Sequence, residues 1–121
     1  MKKYEFTNET RKINNVLLHR IKRLSDGLIG GWIEKESNLS QEGECFVYAD
    51  ACVYDNASVS GNAVVCDKAR VRGNAHVFGN AHVFGHAEVS GNANVFGNAL
   101  VRVNALVYGD MCVFGNQEIT S

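Results

Sequence analysis

From Gly43 to Thr120, apolar and polar positions return every six residues without an insertion. Residues 73–99 show the phrase in full: GNAHVFGNAHVFGHAEVSGNANVFGNA. In a frame set at Gly43, thirteen hexads run to Thr120. The third place is Ala in ten of them, Cys45, Met111 and Gln117 being the exceptions. The fifth is Val in all but the last, which has Ile119. Val is β-branched and suits buried, extended backbone. Ala two residues earlier points the same way, because side chains alternate along a strand. Gly-Asn or Asp-Asn in the first two places marks a corner, where Gly supplies unusual dihedrals and Asn tolerates them. Each hexad therefore predicts one short strand and one turn, with a small–large apolar pair facing inward. One hexad alone cannot bury that pair, but stacked coils can, which is the logic of a solenoid.

The A-x-V phrase resembles the inward signature of hexapeptide repeats in left-handed parallel β-helices, where three hexads make one triangular coil. The chain departs from that family after the aliphatic residue, where Phe, Tyr, Ser or Arg replaces the usual small or acidic side chain. It is similar above all to the β-solenoid repeats of YdcK-type proteins, rich in V-Y-G-N-A and V-F-G-N-A phrases and frequent in phages and prophages. The stretches LHRI (18–21), GGWIE (30–34) and NLSQEG (38–43) resemble the cap segment of those phage proteins. The resemblance implies an all-β fold: a left-handed, triangular parallel β-helix of about four coils over 43–121. A cap segment of strands and turns, with room for one short helix, would occupy 1–42.

If residues three hexads apart stack, the fourth and sixth places of each hexad map the outer surface. One face carries Phe46, Val64, His82, Leu100 and Glu118, beside Tyr48, Cys66, Phe84, Arg102 and Thr120. A second carries Cys52, Arg70, Glu88 and Leu106, beside Tyr54, Arg72, Ser90 and Tyr108. The third carries Ser58, His76, Asn94 and Cys112, beside Ser60, Phe78, Phe96 and Phe114. Contiguous exposed apolar area on a protein usually marks a contact surface. The stripe of Phe46, Val64 and Leu100 with Phe84 thus predicts self-association or cover from the N-terminal segment. The ladder of Phe78, Phe96 and Phe114 reads first as cross-strand shielding, each pair contributing about 0.2–1 kcal/mol. With His82, Arg102, Arg70 and Arg72, these side chains are the candidate binding residues.

The first 42 residues differ in kind, with eight Lys/Arg against six Asp/Glu; the remainder has four against seven. YEFT alternates like a strand. INNVLLHRIKRL fits either a helical face or a strand, and the resemblance favours strands. A solenoid must cover its end, and Trp32, Ile33 and Leu39 are the expected plug. Arg20, Lys22 and Arg23 could meet an acidic partner or nucleic acid, but read first as a solvated strand face.

The formal net charge of −1 argues against DNA binding driven by bulk charge. No apolar run is long enough for a membrane span, and MKKYEFTNETRK has no signal-peptide core, so a cytoplasmic location in a bacterial host is expected. The four cysteines form no C-x-x-C pair and read as free thiols.

Two functional classes follow. The resemblance to phage accessory proteins implies a non-enzymatic binding protein without cofactor or metal. Its rigid faces would meet a host protein or ribonucleoprotein complex, as in inhibition of a bacterial defence system of the anti-CRISPR kind, and further copies of itself as homodimer or trimer. Hexapeptide-repeat acyltransferases imply the alternative, in which a His at a subunit boundary serves as general base. His76 and His82 are the candidates, although those enzymes build their sites from loops extruded between hexads and this chain has none between 43 and 120. Three-His zinc binding, known in related carbonic anhydrases, would need His76, His82 and His86 to converge across an interface.

Overall fold

The computed structural model describes residues 2–120. Thirteen two-residue strands, from Phe46–Val47 to Glu118–Ile119, each occupy the fourth and fifth places of a hexad. They pair in parallel at the expected three-hexad spacing. Phe46, Val64, His82, Leu100 and Glu118 form one ladder; Cys52, Arg70, Glu88 and Leu106 a second; Ser58, His76, Asn94 and Cys112 a third. The result is a nearly all-β solenoid of three parallel faces.

Inward Ala and Val account for the core. Every third-place Ala is buried, as is every fifth-place Val through Val113. Full burial of each such Val contributes about 1.5–3 kcal/mol relative to exposure, which explains why the phrase is so strictly kept. The corners repeat as well. Asn62 donates to Asn80 at 3.2 Å and Asn74 to Asn92 at 3.2 Å, so corner amides satisfy one another between coils. Asp55 and Asp67 accept from the amides of Gly73 (3.2 Å) and Gly85 (3.0 Å), which is the capping work expected of turn carboxylates. At Gly91, with φ +67, a Cβ would lie 2.7 Å from the Gly109 nitrogen, so glycine is required by both dihedral and stacking.

The coil count differs from the hexad count: the solenoid has about five turns rather than about four. The additional, irregular turn comes from the N-terminal segment. Strand β3 (Ile29–Ile33) pairs in parallel with the second ladder, Trp32 beside Cys52, and Leu39 bridges Val59 on the third. This coil lacks the hexad phrase and is therefore absent from a periodicity count.

Before it, β1 (Tyr4–Ile13) and β2 (Val16–Arg23) form an antiparallel hairpin, and β2 pairs with β3. The ambiguous INNVLLHRIKRL is thus turn and strand. Asn14 and Asn15, at φ 51 and 68, make the two-residue loop, the backbone of a tight hairpin turn whose twist matches the strands. Among the described residues of the segment, the helical content is one 3-10 turn, Glu36–Asn38.

The end plug is Tyr4, Ile21, Ile33 and Leu39, all fully buried with Phe46. Trp32, expected among them, points the other way because residues alternate across β3. It packs with Leu18, Cys52 and Tyr54 beneath the hairpin. Asn38 anchors the cap from inside. Its carbonyl oxygen accepts from the amides of Glu34 (3.1 Å) and Lys35 (2.8 Å), and its amide donates to the carbonyls of Asp55 (3.2 Å) and Ala57 (2.8 Å). Arg23 forks onto Asp26 at 3.1 and 2.8 Å and also reaches the Tyr48 hydroxyl, and Arg20 donates to the Gly30 carbonyl at 2.9 Å. These partners lie within the cap and first coil, in keeping with a structural basic cluster. No helix among the described residues is long and apolar enough to cross a membrane.

Candidate functional site

The hexad register fixes where each candidate side chain stands. His82 is a fourth-place residue, so it faces out from the strand His82–Val83, between Val64 and Leu100 on the neighbouring coils. Stacked parallel strands lie about 4.8 Å apart, so an aliphatic side chain flanks the imidazole above and below. Phe84 and Cys66 stand half-buried on the same face. The Cys66 thiol is pushed up from its ordinary pKa by burial, with Asp67 adding to the rise, and is held as the neutral thiol. Arg102 closes an ion pair with Glu118 at the last rung.

The lower end of this face is not open. Phe46 is buried against Tyr4 and Tyr48, with the Arg23 guanidinium 5.2 Å above its ring. The apolar stripe is therefore divided: Phe46 belongs to the cap contact, while Val64, Phe84 and Leu100 remain around His82.

The chemistry of His82 is defined by its Nδ1, which lies 3.0 Å from the Asn80 carbonyl oxygen. A carbonyl can only accept, so Nδ1 carries the proton. In the neutral ring Nε2 then holds the lone pair. An exposed imidazole whose base nitrogen has no partner among the described residues, and whose other nitrogen is anchored, is set up for proton abstraction. His76 differs. Its Nδ1 meets the Ser58 hydroxyl at 2.6 Å, and a hydroxyl can donate or accept, so neither tautomer is imposed. His76 also stands on the third face and His86 at a corner, so the three histidines do not converge within one chain.

On the third face, Phe78 and Phe96 stack at 5.0 Å with their planes 4° apart, and Phe96 and Phe114 at 5.6 Å and 14°. Phe114 is half-exposed at the top of this column. On the second face Arg72 pairs with Glu88 at 3.3 Å, while Arg70 is exposed and lines a cleft with Arg11 of the hairpin. Sequence reasoning placed Arg70 and missed Arg11. No linear signal brings a hairpin residue onto the second coil, because that contact follows from how the cap folds back.

The class of protein is thus a β-solenoid of stacked hexapeptide coils, whose most chemically prepared outward residue is a histidine between aliphatic rungs. No protein-family model matches the chain. Part of it is similar to the uncharacterized acetyltransferase YdcK of Escherichia coli (strain K12), at 39% identity over a region covering 40% of this chain. That match spans 19% of the relative's own length.

Proposed function

We propose that this chain is an acyltransferase-type hexapeptide-repeat protein in which His82 is the general base. The observation that carries the reading is the anchored imidazole: Nδ1 bonded to the Asn80 carbonyl and Nε2 without a partner among the described residues. The named activity of the partly matching relative supports acetyl as the group moved. In this reading Nε2 of His82 removes the proton from an acceptor hydroxyl or amine as that atom attacks the carbonyl carbon of an acyl thioester. The new acyl–oxygen or acyl–nitrogen bond forms, the carbon–sulfur bond breaks, and the proton passes from the imidazolium to the departing thiolate. In one chain His82 stands outward on its strand between Val64 and Leu100. A second copy packed on Val64, Phe84 and Leu100 supplies the wall that excludes water, so the working unit is a homo-oligomer. The test is thiol release from acetyl-coenzyme A with a panel of amine and hydroxyl acceptors. Acceptor-dependent release supports the reading, and its absence from the assembled protein across the panel overturns it.

A second reading, a binding platform without catalysis, is favoured by one observation: the outward column of Phe78, Phe96 and Phe114 on coils with no extruded loop. Its occupant would be a protein surface. Loss of that partner on Phe96→Asp, with folding intact, distinguishes this reading from acyl transfer, which the substitution leaves unchanged.

A further inference from the structure

Among the described residues, five of the chain's twelve Lys and Arg side chains close ion pairs. Lys2 pairs with Glu36, Lys22 with Glu5, Arg23 with Asp26, Arg72 with Glu88 and Arg102 with Glu118. Three others meet at one place without such a partner. Arg11 of the hairpin, Lys68 at a corner of the second full coil and Arg70 on the adjoining strand line a single cleft of about 430 Å³, with Ile13, Asp50 and Cys52. None of the three enters an ion pair among the described residues, and Asp50 closes on none of them within 4.0 Å.

The cleft is built rather than incidental. Its one wall is the solenoid, where Arg70 stacks directly on Cys52 in the parallel ladder. Its other wall is the hairpin, held down by Ile13, Val16 and Leu18 packing over Trp32, Cys52 and Tyr54. Arg11 is fixed at this seam: its guanidinium lies 4.5 Å from the Trp32 ring centroid, and its Nη2 donates to the Cys52 Sγ at 3.4 Å. Stacking on an aromatic face leaves the remaining guanidinium donors in a planar fork suited to phosphoryl oxygens. Lys68 adds a compact point charge, and Arg70 a second fork. Like charges gathered around one cavity repel, and a multivalent anion relieves that repulsion. The volume falls in the range of small-molecule sites and exceeds the need of a single ion.

We propose that this cleft binds a phosphate-bearing small molecule through two adjacent phosphoryl groups, one against each arginine, with Lys68 between them. The site lies on the second face, away from His82, so the inference stands whether or not the chain transfers acyl groups.

Isothermal titration with inorganic pyrophosphate, and with orthophosphate at matched ionic strength, tests it. Saturable binding of one pyrophosphate per chain is expected, at least tenfold tighter than orthophosphate. Lys68→Ala and Arg70→Ala, both exposed on the solenoid, should each weaken it at least tenfold with unchanged circular dichroism. Lys22→Ala, which removes the same charge from the cap, should leave it within twofold of the parent. Absence of saturable heat, equal affinity for the two anions, an unaltered Arg70→Ala titration, or an equal loss in Lys22→Ala would overturn the proposal.

Discussion

The Nδ1 of His82 and the carbonyl oxygen of Asn80, 3.0 Å apart, are two residues distant in sequence and held together by the corner of one coil. The corner amide of Asn80 itself bonds onward to the carbonyl of Gly97, so the acceptor is part of the repeating backbone and not a mobile loop. The ring is therefore oriented by the fold. Nitrogen-15 NMR of the imidazole at a pH where it is neutral should report protonation at Nδ1. A ring protonated at Nε2 would remove the geometric basis for a general base.

Assembly depends on the aliphatic neighbours of that ring. Leu100 is half-buried on the open part of the face, outside the core. Leu100→Asp should reduce the molecular mass in solution to that of one chain, 13.2 kDa, as measured by light scattering, while circular dichroism stays unchanged. A parent protein that is already monomeric would contradict the oligomeric site.

One corner is strained. Asp67, Gly85 and Val103 occupy equivalent places on successive coils, and Val103 holds φ +63 in the region that disfavours β-branched residues. Strain of this type costs about 1–3 kcal/mol. Val103→Asn should stabilise the fold by about 1 kcal/mol, since Asn tolerates the left-handed region, and raise Tm by about 4 °C. Gly91→Ala should do the opposite, because its Cβ would lie 2.7 Å from the Gly109 nitrogen and 3.0 Å from the Gly109 oxygen. Thermal unfolding of the two variants side by side decides this.

The cap has a pH-dependent latch. The Tyr4 hydroxyl donates to the Leu39 carbonyl at 2.5 Å, and the Glu36 carbonyl lies 3.1 Å away. Burial raises its pKa well above the ordinary phenol value, with the charges of Glu36 and Cys45 adding to the rise. A raised folded pKa means the unfolded chain ionises first. The latch thus contributes fully below about pH 10 and its contribution declines as pH climbs from there toward the folded value. Chemical denaturation between pH 8 and about 11 should show that alkaline loss. Tyr4→Phe should cost about 1–2 kcal/mol at neutral pH and flatten the alkaline limb.

The solenoid was legible because it repeats. Val83 is buried and His82 exposed for a reason visible in six letters; the buried fifth place holds for every hexad through Val113, while the cap covers the fourth places of the first two, Phe46 and Cys52. The cap was legible only where it obeyed alternation or a known turn. Asn14 and Asn15 make the two-residue loop, yet the run that holds them fits a helical face as well as a strand, so the choice between the two came from the structure. Asn38 carried no such mark: a single Asn before Leu39 gives no sign that it will bind four backbone groups at the core's edge. Arg11 and Arg70 are likewise 59 residues apart in the sequence, and their common cleft is a product of docking. At His82, the outward position followed from the register, whereas the tautomer required coordinates.

The comparison of His82→Asn with His76→Asn tests the central claim most directly. Both side chains are exposed, both sit in fourth places, and neither substitution touches the core. The measurement is acceptor-dependent thiol release from acetyl-coenzyme A by the assembled protein. The account predicts a fall of about 10²–10⁴-fold for His82→Asn, the usual contribution of a positioned base, with His76→Asn close to the parent. Equal rates for His82→Asn and the parent would contradict it.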